Sequence, residues 1–258
     1  MIPNRLLEHY EDKYAAEEVA PAPPAYPLDV RRPRHRAGNA VANLARLLPP
    51  GADVLELAAG NGQIGESLRA GGVPFGSYTL SEISPPRLAG LRRAFTDPRF
   101  EVAYADAERP SEKLSGKYDA VVMLALIEHL IDPMGAMRDI ASLLKPGGFV
   151  YVDTPNIAKW TRRLRLAGGR FPSTASVDEG LTRGDGVPAD LHDEGHLHYF
   201  TYRSLSLMLT ERCGYASTEF HPYYEAPRYF GDRLGTALSR WRPGFFAEIS
   251  MVARVKDA

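Results

Sequence analysis

Five apolar runs of strand length alternate with helix-length stretches between residues 53 and 153, and this alternation constrains the fold more than any other feature. The runs are apolar on both faces, as expected for strands that lie between two layers of helices. Such alternation predicts a doubly wound α/β fold in which right-handed crossovers join parallel strands. The predicted strands are 53–58, 76–83, 100–105, 118–124 and 148–153, and the predicted helices between them are 63–70, 86–95 and 133–145.

The segments on either side of this alternation have different patterns. Residues 1–35 are predicted to form a short helix and a proline-rich linker, and residues 36–258 to form the main domain. Residues 157–200 are rich in Arg, Gly, Asp and His with little periodicity, so we expect an inserted lid there. The remaining predicted elements are helices over 36–48 and 202–212 and strands over 216–221 and 246–255, with an aromatic, basic stretch at 222–244.

Charge and composition exclude several classes of protein. The chain has 31 basic and 32 acidic residues and a net charge of −1, which argues against a nucleic-acid or anionic-membrane binder. A single cysteine, Cys213, excludes an internal disulfide framework. No apolar run approaches the roughly 20 residues that cross a bilayer, and the amino terminus lacks a signal-peptide pattern. We therefore expect a soluble cytoplasmic protein with no nucleic-acid or membrane partner.

A glycine-rich turn follows the first predicted strand. Gly60, Gly62 and Gly65 form a G-x-G-x-x-G pattern where strand changes to helix, and Glu82 follows Gly62 by twenty residues. A carboxylate there can accept hydrogen bonds from both hydroxyls of a ribose. The turn is compatible with a nicotinamide dinucleotide, with an adenosyl amino-acid cofactor, or with no ligand. Glu56 favours the amino-acid cofactor, because an acidic side chain suits an ammonium and repels a pyrophosphate.

Several motifs, in order, resemble those of the class I S-adenosylmethionine-dependent methyltransferases. The resemblance covers about 36–155 and 200–222, and Thr154-Pro155-Asn156 and His198-Tyr199-Phe200-Thr201 extend it to members that act on small molecules such as sugars and quinols. It implies a mostly parallel seven-stranded Rossmann-like sheet with an antiparallel last strand. The motifs are Glu56-Leu57-Ala58-Ala59-Gly60-Asn61-Gly62, Glu82-Ile83-Ser84, Tyr104-Ala105-Asp106-Ala107, Tyr118-Asp119-Ala120-Val121-Val122, Ile127-Glu128-His129-Leu130 and Leu143-Leu144-Lys145-Pro146-Gly147-Gly148.

The resemblance also implies residue roles around S-adenosylmethionine. Glu56 is expected near the methionine ammonium, Glu82 at the ribose hydroxyls, and Asp106 at the exocyclic amine of adenine. The backbone at Leu124 is expected to meet the methionine part. Ala58 stands where the family usually has glycine, so its methyl group narrows the predicted pocket. The implied cofactor-binding residues are Glu56, Ala58, Gly60, Gly62, Glu82, Ile83, Asp106, Ala107 and Leu124.

Methyl transfer to a hydroxyl gains from a general base, and histidine is the usual choice near neutral pH. His129 follows the fourth strand, and His196 and His198 precede the re-entry of the chain into the core. We predict that one of these three removes the acceptor's proton, with His129 slightly favoured. The three histidines and three carboxylates between residues 190 and 198 also raise the question of a divalent ion. Because methyl transfer needs no metal, none is predicted.

The predicted function is methyl transfer from S-adenosylmethionine to a small polar acceptor, most simply a hydroxyl of a sugar, natural product or phenol. A non-catalytic adenosyl-binding module and a nicotinamide-dependent oxidoreductase are the alternatives. The basic run that includes Arg162 and Arg163 is either a solvated helix face or an anion-recognition site. The aromatic residues from Tyr223 to Trp241 line an acceptor pocket, a dimer contact or the core. The chain is expected to be a monomer or a homodimer.

Overall fold

The computed structural model describes residues 25–28, 31–174 and 195–257. Within these residues one sheet contains seven strands in the order β3-β2-β1-β4-β5-β7-β6. The strands are β1 (Asp53–Leu57), β2 (Ser77–Glu82), β3 (Phe100–Tyr104), β4 (Tyr118–Leu124), β5 (Leu144–Thr154), β6 (Ser217–Phe220) and β7 (Ile249–Arg254).

The strand pairing confirms the predicted fold class. Strands β1 to β5 run parallel to one another, whereas β7 runs antiparallel to both β5 and β6. The sheet grows outwards from β1 in one direction through β2 and β3, and in the other through β4 and β5. The reversal between β1 and β4 is the topological switch point, where ligands of open α/β sheets bind.

The helices begin at recognisable sequence signals. Asp132 accepts the backbone N–H of Gly135 at 2.9 Å, and Thr201 forms a capping box with Ser204. The helices are α1 (Arg36–Leu47), α2 (Gln63–Ala70), α3 (Pro85–Ala94), α4 (Pro133–Leu143), α5 (Trp160–Ala167), α6 (Tyr202–Arg212), α7 (Pro227–Trp241) and the single turn α8 (Pro243–Phe246), with 3₁₀ turns at Pro110–Glu112 and Ile127–His129.

Two apolar cores lie on opposite faces of the sheet. One is shared by the strands with α4 and α6 and includes Met137 and Leu205. The other is shared with α1, α2 and α3 and includes Leu44 and Leu68. Every central strand contributes side chains to both cores, so both faces of the sheet are covered. The carboxyl edge of the sheet is therefore where a ligand site is expected.

The structure corrects several predicted boundaries. The helix predicted over 133–145 ends at Leu143, and β5 begins at Leu144, which pairs with Tyr118 of β4. Lys145 donates to Asp53 and Asp119 at 2.8 and 2.7 Å. The stretch 222–244 contains α7, and the predicted lid contains α5. The predicted amino-terminal helix and the centre of the lid, 175–194, lie outside the described residues. Among the helices described here, none is long and apolar enough to cross a membrane.

Candidate functional site

The turn between β1 and α2 is a tight left-handed segment at the carboxyl edge of the sheet. Ala58, Gly60 and Gly62 all have positive φ angles, of 51°, 60° and 73°. A Cβ atom at Gly62 would lie 2.4 Å from the Phe95 ring, so packing excludes a side chain there. A Cβ atom at Gly60 would meet no described atom within 4 Å, so the space above Gly60 can receive a ligand. Left-handed backbone costs an alanine about 1 kcal/mol, so Ala58 is strained.

Glu82, at the end of β2, ties the second strand to this turn. Its carboxylate accepts the backbone N–H of Gly60 at 2.8 Å and that of Ile83 at 3.1 Å, and the Arg87 guanidinium lies 3.5 Å away. These contacts hold the buried carboxylate at the switch point. A carboxylate offers about four acceptor positions, so these contacts are compatible with the predicted ribose bonds.

Glu56 is more deeply buried than its predicted contact with a cofactor ammonium suggests. Its side chain is 5% exposed, and its Oε2 atom accepts the hydroxyl proton of Tyr78 at 2.8 Å. Burial raises the pKa of Glu56 to about 8, although the bonds from Tyr78 and from the Gly65 backbone oppose the rise. An unliganded Glu56 is therefore mostly protonated at neutral pH. The predicted contact with an ammonium would require this carboxyl to ionise.

The other residues predicted at the cofactor lie along the same edge. Asp106 is an exposed carboxylate just beyond β3 and accepts the backbone N–H of Glu108 at 2.9 Å. Leu124, Ile83 and Ala107 are half-buried at or just after strand ends. Adenosine presents hydroxyl and amine donors, which carboxylates accept, whereas a pyrophosphate at the turn would be repelled by Glu56 once that carboxyl is ionised. The donor set therefore fits an adenosyl cofactor better than a dinucleotide.

His129 and His196 come together beyond β4. Their rings meet edge to face with centroids 4.7 Å apart. The Nδ1 atom of His129 lies 2.7 Å from the carbonyl oxygen of Gly195, so this nitrogen donates and the lone pair of the neutral ring is on Nε2. The Nδ1 atom of His196 lies 2.7 Å from the hydroxyl oxygen of Thr174. Residues far apart in sequence thus form one histidine pair.

Glu128 fixes the polypeptide around this pair. Its carbonyl oxygen accepts the backbone N–H groups of Leu197 at 2.8 Å and His198 at 3.1 Å. Its carboxylate accepts the hydroxyl proton of Thr154 at 2.8 Å through Oε2, while buried Oε1 has no hydrogen-bond partner in the described chain. The sequence pattern indicated no separate role for Glu128, yet it joins the turn after β4, the end of β5 and the backbone at Leu197 and His198.

His198 lies outside the histidine pair. Its ring faces Phe200, with centroids 6.3 Å apart. His196 and His198 are two residues apart, but of these two rings only that of His196 packs against His129. His192 lies outside the described residues.

Asp153 is a site residue that sequence reasoning missed. It lies near the end of β5 with no exposed surface, and neither carboxylate oxygen has a hydrogen-bond partner among the described residues. The nearest cation is Arg36, whose Nε atom is 3.7 Å from Oδ1. Burial raises the pKa of Asp153, and Glu248 and Glu128 add to the rise while Arg36 opposes it. The available signal was an acid that ends an apolar central strand.

The basic run after Trp160 has a structural partner. Arg162 donates to both carboxylate oxygens of Glu248 at 3.0 and 2.8 Å, and Lys159 donates to Glu248 at 3.0 Å. Glu248 also accepts the backbone N–H of Asn156 at 2.7 Å. Burial by itself raises the pKa of Glu248, but Arg162 and Lys159 lower it to about 2. This buried ion network fastens the start of the insertion to the sheet.

Glu128, His129 and His196 also form a geometric group of possible metal ligands. One donor atom from each lies within 4.8 Å of the others. The absence of a functional metal stays a prediction, as do the roles of the residues assigned to the cofactor.

Comparison with known proteins agrees with this geometry. A family profile described as "Methyltransferase domain" matches residues 31–219. The ubiquinone biosynthesis O-methyltransferase of Xanthomonas axonopodis pv. citri (strain 306) is 31% identical over 129 residues, which are 49% of this chain and 53% of that protein. The protein of the same name from Aliivibrio fischeri (strain MJ11) is 30% identical over 106 residues, covering 41% and 45%. The chain spans about half the length of these curated relatives.

Solved structures share the fold. The trans-methyltransferase CalH in complex with SAH matches with a TM-score of 0.53 and 20% identity, over 84% of this chain and 55% of that one. An S-adenosylmethionine-dependent methyltransferase from Mesorhizobium loti matches with a TM-score of 0.52 and 17% identity, over 84% and 97%.

Proposed function

The chain belongs to the class I S-adenosylmethionine-dependent methyltransferases, and from that premise we propose that it methylates a hydroxyl group of a small polar acceptor. The single observation that carries the choice of a hydroxyl is the histidine pair. The carbonyl of Gly195 orients His129 so that its basic nitrogen is Nε2. The matched relatives named O-methyltransferases support the same choice.

The cofactor half of the site follows from the strand ends. When bound, S-adenosylmethionine supplies an electrophilic methyl group on a positively charged sulfur. Glu82 accepts the ribose hydroxyls, and the open backbone at Gly60 lets the ligand approach. Asp106 accepts the adenine amine, and Glu56 faces the ammonium. These carboxylates complement a cofactor that is cationic and rich in donors.

The acceptor half combines a base with unfilled hydrogen-bond acceptors. Nε2 of His129 takes the hydroxyl proton, and His196 packs against the same ring and limits its movement. Oε1 of Glu128 and the carboxyl of Asp153 are buried and lack hydrogen-bond partners within the described residues. Buried polar groups are costly unless they are paired. An acceptor with further O–H or N–H donors, such as a sugar or catechol, would satisfy them.

We also propose that residues 157–200 cover this acceptor site and that residues 1–35 form a separate preceding segment. Support comes from both described ends of the insertion. Lys159 and Arg162 are held by Glu248, and the backbone of Leu197 is held by Glu128. The insertion therefore begins at residues held by Glu248 and ends at a segment held by Glu128, which precedes His129 in the sequence.

The test uses the purified chain, labelled S-adenosylmethionine and a panel of sugars, phenols and amines. We expect transfer to a hydroxyl compound, and His129→Ala should lower kcat by about 10²–10⁴-fold with little change in cofactor affinity. His198→Ala is the matched comparison, because its ring lies outside the pair, and it should retain turnover. Cofactor binding without transfer to any acceptor would favour the non-catalytic module. Full turnover by His129→Ala would refute the assigned base.

A further inference from the structure

An apolar groove lies away from the histidine pair, between α5, α6, the end of β6 and α8. It has a volume of about 1020 Å³, and its walls include Tyr202, Leu207, Phe220, Trp241 and Phe245. Trp241 is 69% exposed, and Leu207 and Phe245 are 46% and 41% exposed. Large apolar side chains gathered around one concavity are unusual on a solvated surface and are typical of a binding site.

Three arginines rim this groove, and no carboxylate lines it. The Arg242 guanidinium lies over the Trp241 ring at 4.7 Å, and that of Arg163 lies over the Phe245 ring at 5.3 Å. Arg163 is also oriented by a hydrogen bond from its Nε atom to the carbonyl of Ala158. Arg203 is the third arginine. Within residues 25–28, 31–174 and 195–257 none of the three forms an ion pair with a carboxylate. They will be called the rim arginines.

We propose that this arginine-rimmed groove binds a long-chain carboxylate, whose apolar chain lies on the aromatic walls and whose head group meets the rim arginines. The walls remove an alkyl chain from water, at a gain for each buried methylene. The guanidiniums of Arg163 and Arg242 stack on aromatic rings, and a guanidinium can pair with a carboxylate in a two-pronged geometry. The proposal concerns a second ligand and does not depend on the acceptor of methyl transfer.

Other occupants fit the charges or the shape less well. A symmetric contact between two copies would place the same surface against itself and bring the rim arginines into mutual repulsion. A membrane surface is flat and is met by protruding apolar side chains, whereas these side chains line a concavity. A polynucleotide would satisfy the arginines but would leave the apolar walls without a partner.

The binding measurement exploits the position of Trp241. The chain has two tryptophans, so Trp160→Phe leaves Trp241 as the only donor for energy transfer to dansyl-labelled undecanoate. We expect saturable transfer that oleate reverses below its micelle concentration. Calorimetric titration of the unaltered chain with oleate gives the same affinity without relying on the Trp160→Phe variant.

Matched variants separate the charge from the apolar walls. Arg163→Gln and Arg242→Gln should each weaken oleate binding by about tenfold, the effect of one charge-assisted hydrogen bond. Arg240→Gln changes an exposed arginine on the same helix as Trp241, outside the groove, and should have no effect. Leu207→Asp should abolish binding, whereas Leu234→Asp, at another exposed leucine, should not.

Four results would overturn the proposal. Oleyl alcohol could bind as tightly as oleate, or both arginine variants could bind oleate normally, and either would remove the anion site. Phosphatidylglycerol vesicles could bind through the same arginines while monomeric oleate does not, which would make the occupant a membrane. Sedimentation could instead show a dimer that Leu207→Asp dissociates and oleate does not, which would assign the groove to a second copy.

Discussion

Replacing Glu56 by glutamine should make the protein more stable at neutral pH, although it removes an ionisable group from the predicted cofactor site. Glu56 is buried between β1, β2 and α2, and Tyr78 donates to it. The amide oxygen of glutamine can accept the same hydroxyl proton. The substitution therefore keeps the volume and an acceptor oxygen for the Tyr78 hydroxyl, and it removes the ability to ionise.

The size of the effect follows from the pKa of Glu56, which burial raises from 4.5 to about 8. In the unfolded chain this carboxyl ionises with its lower pKa, so folding at pH 7 must restore a proton. Each pKa unit corresponds to about 1.4 kcal/mol, so this cost is at most about 3 kcal/mol at pH 7. Because the folded pKa lies above the unfolded one, the wild-type protein is penalised increasingly as the pH rises from about 4.5 towards 8.

Urea unfolding of the wild type and of Glu56→Gln, followed by circular dichroism between pH 4.5 and 8, measures this difference. The variant should gain up to about 3 kcal/mol at pH 7 and almost nothing near pH 4.5. Glu101→Gln is the control, because it removes the same charge from an exposed carboxyl in β3. A gain that is equal at both ends of the pH range, or a loss at pH 7, would refute the burial argument.

Cofactor binding provides an independent test of the protonation state of Glu56. If Glu56 meets the ammonium of S-adenosylmethionine, the positive charge lowers its pKa, and binding at pH 7 releases a proton. Calorimetry in buffers with different ionisation enthalpies counts that proton. Glu56→Gln should bind without the release. Binding of the wild type with no proton release would leave Glu56 with a purely structural role.

Three further outcomes are expected. Ala58→Gly should relieve the left-handed backbone strain and raise stability by about 0.5–1 kcal/mol, measured as a higher Tm, and an unchanged or lower Tm would contradict the strain. Glu248→Gln should lower the free energy of unfolding by about 3–5 kcal/mol at neutral pH, because Lys159 and Arg162 lose a buried partner. Since the pKa of Glu248 is lowered to about 2, the stability that this carboxylate gives the wild type should be lost as the pH falls from 4.5 to 2. Prolonged chelation should leave turnover unchanged if His129 is the base, and loss restored by a divalent ion would instead favour a metal at His129.

The sequence predicted the sheet because its central strands are buried on both faces. Each such strand is a continuous apolar run, which can be recognised without knowing the strands it pairs with. The helix α7 was not predicted, because its sequence contains breaks that only packing explains. Gly231 has a φ of 67° inside the helix, and a Cβ atom at Gly235 would lie 1.9 Å from the ring of Tyr224. Gly231 permits the kink and Gly235 permits the close approach of Tyr224, and both glycines weaken the helical pattern of the sequence.

The candidate site was predictable where its residues follow the strand ends in order, and not where it depends on a returning segment. Glu82 and Asp106 end or follow consecutive strands, so spacing alone places them at one edge. The pairing of His129 with His196 depends on Gly195, which adopts a φ of 80° and directs its carbonyl at the imidazole. No periodicity in the sequence indicates this contact between Gly195 and His129. Asp153 was missed because its isolation from hydrogen-bond donors is a property of its surroundings.

The distribution of charge at the carboxyl edge narrows the choice of acceptor. In the proposed function, Glu82 and Asp106 belong to the cofactor half of the site, and Glu128 and Asp153 belong to the acceptor half. Arg36 is the cation nearest to Asp153 in the described chain, and Arg162 is already neutralised by Glu248. A phosphate or carboxylate placed beside the histidine pair would meet buried oxygens that repel it or must be protonated. The acceptor is therefore expected to be neutral or cationic near its reacting hydroxyl, and an anionic second ligand should bind at the rim arginines instead.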